Sequence, residues 1–140
     1  MKICGIEIKG SEALLAVAAL DGASPVHVAL ATKKIALEDD EQADNVKAFA
    51  SQARQFIAEH GISHLAIKKR SKKGDFAGGP TTFKIEGVLQ LLDNCEVELV
   101  SPQTVSAQAK KHNIELPASL NKYQHEAFKS ACAVLLKRHA

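Results

Sequence analysis

The sequence has no tryptophan, one tyrosine and five phenylalanines, so aromatic residues fill only 4% of its 140 positions. Few platforms remain on which unpaired bases could stack. Cysteine is scarce too. Cys4, Cys95 and Cys132 are odd in number, far apart and set among apolar neighbours, with no Cys-x-x-Cys pair. That pattern argues against a disulfide framework or a thiolate metal site and reads as reduced core residues. No eighteen apolar residues run together, and the opening MKICGIEIKG is too short and too charged for a signal peptide or membrane anchor. No membrane association is expected, and the expected location is the cytoplasm. A surplus of one charge is also missing: 18 basic against 16 acidic residues leave +2, so the chain is not a polycation that binds nucleic acid indiscriminately.

What is present is ordinary globular material, 46% hydrophobic and 24% charged. At this length one domain over residues 1–140 is expected, burying roughly two thirds of the surface its unfolded chain exposes. No repeat or linker interrupts it.

Lys2 to Lys9 alternates as a strand, Gly10-Ser11 offers a turn, and Glu12 to Leu20 continues as a second strand. Asp21 to Pro25 is a strong turn signal, and Val26 to Leu37 reads as a third strand, giving an antiparallel meander. The period then changes. Val46, Phe49, Ala50, Ala53, Phe56 and Ile57 recur at helical spacing, with Asp39 and Gln42 as a candidate cap and Gly61 as the stop. Ser63 to Lys68 reads as a fourth strand, Ile85 to Leu92 as a helical stripe, and Glu96 to Val100 as a fifth strand. Pro102 starts a short helix reaching about Lys111, and Asn121 with Gln124 caps the last one, whose buried stripe is Tyr123, Ala127, Ala131, Val134 and Leu135. Right-handed crossovers make the fourth and fifth strands parallel to their neighbours and predict an α/β fold, a mixed five-stranded sheet with helices on both faces.

Local charge is concentrated in one place. Lys68, Lys69, Arg70, Lys72 and Lys73 fall within six positions at the end of the fourth strand, followed by Gly-Gly-Pro-Thr-Thr. Most such runs are solvated loops. The sharper reading is phosphate contact by these five residues, helped by the helix start near Thr81 and Thr82. The segment lacks the Gly-Lys-Ser/Thr ending of a nucleotide P-loop. His60 and His64 have metal-like spacing, but Gly61 breaks the helix between them. No nucleophilic triad can be assembled.

Three short stretches carry a family resemblance. GIEIKG, Gly5 to Gly10, looks like the first-strand GIDxG of RuvC-type Holliday-junction resolvases and their YqgF-type relatives. LAIKKR, Leu65 to Arg70, looks like the fourth strand, where that superfamily places a glutamate after AI. HEAFKSACAVLL, His125 to Leu136, looks like the final helix with its DAADALAxAL pattern. The resemblance implies a ribonuclease H-like fold with strand order 3-2-1-4-5, in which strands one and four are adjacent, and the chain also resembles a family of short bacterial proteins of unknown function.

In the superfamily, carboxylates on the first strand, the fourth strand and the last helix gather two magnesium ions for phosphodiester cleavage. Carried over residue by residue, Glu7 falls at the first-strand position and Glu126 at the first acidic position of the last helix. Lys68 falls where the fourth-strand glutamate would be, and Lys129 at the second acidic position of the helix. An ammonium about 4 Å from a divalent ion, at an effective dielectric of about 20, is repelled by roughly 8 kcal/mol as an upper bound. The expectation is therefore that Lys68 stands in for the cation beside Glu7 and Glu126, with no metal and no cofactor bound. Plainer accounts remain, in which Glu7 is a partly solvated strand residue and Glu126 a solvated helix residue.

Three functions stay open at this point. The leading one is a ribonuclease H-like domain with a degenerate nuclease site, non-catalytic, binding nucleic acid or a protein partner. The others are a magnesium-dependent nuclease with a rearranged site using Glu7 and Glu126, and a homodimeric protein acting through interaction alone.

Overall fold

The computed structural model describes residues 1–70 and 79–139. Three strands, β1 (Lys2–Lys9), β2 (Glu12–Asp21) and β3 (Ser24–Val28), form the expected meander. Lys9 faces Glu12 across the first turn and Asp21 faces Ser24 across the second. A short β4 (Lys34–Ala36) follows, then α1 (Ala43–His60), β5 (His64–Lys68), α2 (Pro80–Gln90), β6 (Glu96–Val100) and α3 (Pro102–His112). A single 3-10 turn at Lys122–Gln124 leads into α4 (His125–His139).

Among the described residues the sheet has six strands, not five. Its path is β3-β2-β1-β5-β6, with β4 paired to β2 beside β3. The expected third strand, Val26 to Leu37, is broken in two. Val28 stands opposite Val17 whereas Lys34 stands opposite Leu14, so the register slips by three residues between the two segments. An odd slip would turn every following side chain to the wrong face, and the chain avoids this by leaving the ladder over residues 29–33. The neighbour relations hold: β1 is antiparallel to β2 and parallel to β5, and β5 is parallel to β6.

Alternation along the strands divides the core between two faces. Cys4, Ile6 and Ile8 of β1 and Leu65 and Ile67 of β5 pack with Phe49, Ala53, Phe56 and Ile57 of α1 and Ile85 and Leu89 of α2. On the opposite face, Ile3, Ala16, Ala18 and Ala66 pack with Val105 of α3 and Ala127, Phe128, Ala131 and Leu135 of α4. Tyr123, assigned to that stripe from sequence, keeps 39% exposure because it lies in the 3-10 turn before α4 begins.

Caps explain the helix ends. Gly61 closes α1 with φ 61°, a left-handed position that glycine adopts without strain. Ser101 Oγ accepts the Thr104 N–H before Pro102 opens α3. Asn121 and Gln124 form a reciprocal capping box. The expected Asp39–Gln42 cap is absent. Gln42 holds the N-cap position of α1 with no side-chain hydrogen bond, and Asp39 instead accepts the Glu41 N–H within the preceding turn.

Candidate functional site

β1 and β5 run parallel, with Ile6 opposite Ile67. One residue further, Glu7 and Lys68 leave the carboxyl ends of neighbouring strands, and alternation directs both toward α4. That helix can approach closely because β1 carries a glycine there. A Cβ on Gly5 would collide with the Ala127 carbonyl, so backbone meets backbone at this point. The close approach brings Glu126, one residue before Ala127, over the ends of β1 and β5.

The result is a compact charge cluster. Lys68 Nζ donates to Glu126 Oε1 at 2.9 Å and lies 3.6 Å from Glu7 Oε2. Lys129 Nζ donates to Glu126 Oε2 at 3.1 Å. Glu7 is only 5% exposed, and the Lys68 side chain 19%. Burial raises the Glu126 carboxyl, but the hydrogen bonds from Lys68 and Lys129 and their charges outweigh it, so the group titrates below its ordinary value. Two carboxylates and two ammonium groups cancel, which lets four ionised groups share a partly dry site.

That donor set does not fit the magnesium pair implied by the resemblance. Magnesium takes oxygen ligands at about 2.0–2.1 Å, and here the carboxylates already share an ammonium. Among the described residues, no group of three or more His, Cys, Asp or Glu side chains is placed to hold a metal ion.

The basic run divides. Lys68, assigned to phosphate from sequence as well, directs its ammonium inward to Glu126 and Glu7. Lys69 is exposed, with its N–H bonded to the Val100 carbonyl at 2.8 Å. Arg70 is half-buried, and its Nε has no partner among the described residues. Lys72 and Lys73 lie outside the described residues.

At the start of α2, Thr82 is buried and its hydroxyl donates to the Gly79 carbonyl at 2.6 Å. Thr81 donates to Asp40 Oδ2 at 3.3 Å, and Lys84 lies 3.6 Å from the same oxygen. A carboxylate from the β4–α1 connection therefore serves this helix end, where sequence reasoning places a phosphate. The two threonine hydroxyls are committed inside the protein. Nothing local in the acidic run Glu38 to Glu41 ties it to residues forty positions on, whereas a glycine inside an apolar strand is a legible sign of close backbone approach.

His60 and His64 part company. His60 packs against Phe56 with ring centroids 4.9 Å apart and the planes tilted by 59°. His64, at the amino end of β5, lies 2.8 Å from Glu96, which also bonds Arg138 at 3.1 Å. No helix among the described residues is long and apolar enough to cross a membrane.

The backbone is similar to RuvC of Thermus thermophilus, with TM-score 0.74 and 12% identity over 99% of this chain and 96% of that one. Against T. thermophilus RuvC in complex with Holliday junction substrate the TM-score is 0.72, again at 12% identity, over 99% and 94%. At this identity the likeness establishes the fold, which is ribonuclease H-like and of the RuvC type. No curated protein matches significantly. A family model spans residues 1–134, and the chain accordingly belongs to the family described as protein of unknown function DUF3010.

Proposed function

We propose that this protein is a ribonuclease H-like domain that has exchanged metal-dependent cleavage for binding, with nucleic acid as the partner. The observation that carries the reading is the position of Lys68. Its ammonium stands 2.9 Å from Glu126 and 3.6 Å from Glu7, supplying internally the positive charge those carboxylates would otherwise draw from a cation. The donor set opposes a magnesium ion at this place, since both carboxylates already hold the Lys68 ammonium. Binding falls to Lys69 and Arg70, which follow β5, together with Lys72 and Lys73. T. thermophilus RuvC has been observed with a Holliday junction, which makes branched DNA the first probe.

The test joins affinity to salt. Four phosphate contacts on duplex DNA give a log–log slope of roughly −3 to −4, with little sequence preference. Replacing Lys69, Arg70, Lys72 and Lys73 by serine should flatten the slope, and Lys69→Ser, at an exposed position, should reduce it while leaving thermal stability nearly unchanged. Branched, duplex and single-stranded substrates should all survive incubation with magnesium or manganese. Cleavage that disappears in Glu7→Gln would establish the rearranged nuclease instead. Absence of binding to all three substrates at low salt would leave a protein partner or a second copy of the chain as the occupant.

A further inference from the structure

The charge cluster opens on one side into a groove between α3 and α4, with a volume of about 900 Å3. Its floor is apolar, built from Val105 and Ala109 of α3 and from Ile114 and Leu116 beyond it. Val105 is buried, but Leu116 keeps 38% exposure, an arrangement that favours cover by an apolar body. Two cations stand at the mouth. Lys110 is exposed on the last turn of α3, and Lys129 reaches Glu126 from α4.

Charge decides the polarity of a ligand. In the groove lining two positive groups, Lys110 and Lys129, meet one negative one, Glu126, which already pairs with Lys68. Lys68 alone satisfies Glu126 Oε1 at 2.9 Å, so Lys129 can turn to an incoming anion without leaving that carboxylate unpaired. An apolar floor with a cationic mouth matches a molecule that has a flat ring at one end and a phosphate at the other.

We propose that this groove binds a small organic phosphate of the nucleoside monophosphate class, with the phosphate between Lys110 and Lys129 and the ring on Val105, Ala109, Ile114 and Leu116. Lys69 and Arg70 are not among the groove's lining residues, so its occupation does not require nucleic-acid binding there. Its occupation would draw Lys129 from Glu126 and leave the Lys68 pair intact.

The experiment is an amide-shift titration of the full chain with adenosine monophosphate, adenosine and inorganic phosphate as separate ligands. The monophosphate should shift residues 106, 110 and 129 and bind at least roughly tenfold tighter than either fragment, since each fragment loses one half of the recognition. Lys110→Gln and Lys129→Gln should each weaken it by roughly tenfold, and Ser106→Phe, which fills the exposed mouth, should abolish it. Lys111→Gln, outside the groove lining, should change nothing. The proposal is overturned by a lack of shifts at roughly 5 mM ligand, a level that reveals a millimolar Kd. It is equally overturned if inorganic phosphate binds as tightly as the monophosphate, if Lys111→Gln weakens binding as much as Lys110→Gln, or if binding survives Ser106→Phe in a protein with unchanged thermal unfolding.

Discussion

The carbonyl of Ala127 occupies the space that a side chain at Gly5 would fill. This single contact brings α4 down onto β1 and so determines how far Glu126 stands from Lys68. Gly5→Ala should destabilise the protein by at least about 1–3 kcal/mol, because the obstacle is backbone on both sides and cannot rotate away. The control is Gly87→Ala within α2, where a Cβ meets nothing within 4 Å. There the substitution should be neutral or stabilise by up to about 1 kcal/mol. Urea unfolding of the pair reads both signs.

Lys68→Met removes the ammonium and leaves two carboxylates facing each other. A loss of about 2–4 kcal/mol is expected, below the figure for a fully buried pair because the Lys68 side chain keeps 19% exposure. Adding Glu7→Leu to Lys68→Met should recover part of that loss, since Lys129 still serves Glu126. A double-mutant cycle in urea would detect the coupling. Strict additivity would mean that Glu7 and Lys68 do not interact in solution.

A change of sign at residue 68 should change the cation preference. Lys68→Glu gathers three carboxylates at the ends of β1, β5 and α4. Calorimetric titration is expected to show magnesium binding in Lys68→Glu and none in the wild-type chain. Tight magnesium binding by wild type would show that the lysine yields its place.

The depressed titration of Glu126 makes the cluster sensitive to acid. Because the folded state holds this carboxyl below its ordinary value of 4.5, its contribution to stability is present above that value and is lost as pH falls through the lower folded value. The stability difference between wild type and Glu126→Gln should therefore be constant near neutrality and shrink below pH 4.5. A difference independent of pH would mean that the pairing is absent.

Loss of water pushes the thiols of Cys4 and Cys132 up to about 12, while Cys95 is raised by burial but only half-buried. Native protein at mildly alkaline pH should therefore react with iodoacetamide at Cys95 first. Cys4 and Cys132 should become reactive only with unfolding, which peptide mapping at increasing urea would follow.

Much of this molecule is legible in its residues. The meander, the helices and the mixed sheet follow from apolar period and from turns such as Gly10-Ser11, because neighbouring positions alone determine which face a side chain takes, whereas the order of the strands comes with the family resemblance. The position of Lys68 at the end of a core strand is also read directly from LAIKKR. Local period fails where the chain exceeds what a ladder can hold. Val26 to Leu37 has the composition of one strand, yet the three-residue slip against β2 divides it.

The charge cluster belongs to the tertiary structure. Glu7 and Lys68 meet because β1 and β5 are parallel neighbours, and Glu126 joins them from 58 residues beyond Lys68 because Gly5 admits α4. Asp40 at the start of α2 was invisible for the same reason: its partners Thr81 and Lys84 are about forty positions away, and no period links them. Residue type and spacing determined which groups stand at the ends of the strands. Only the folded chain decided which charges share a site, because ion pairing acts through distance in space and burial, and neither is a property of sequence separation.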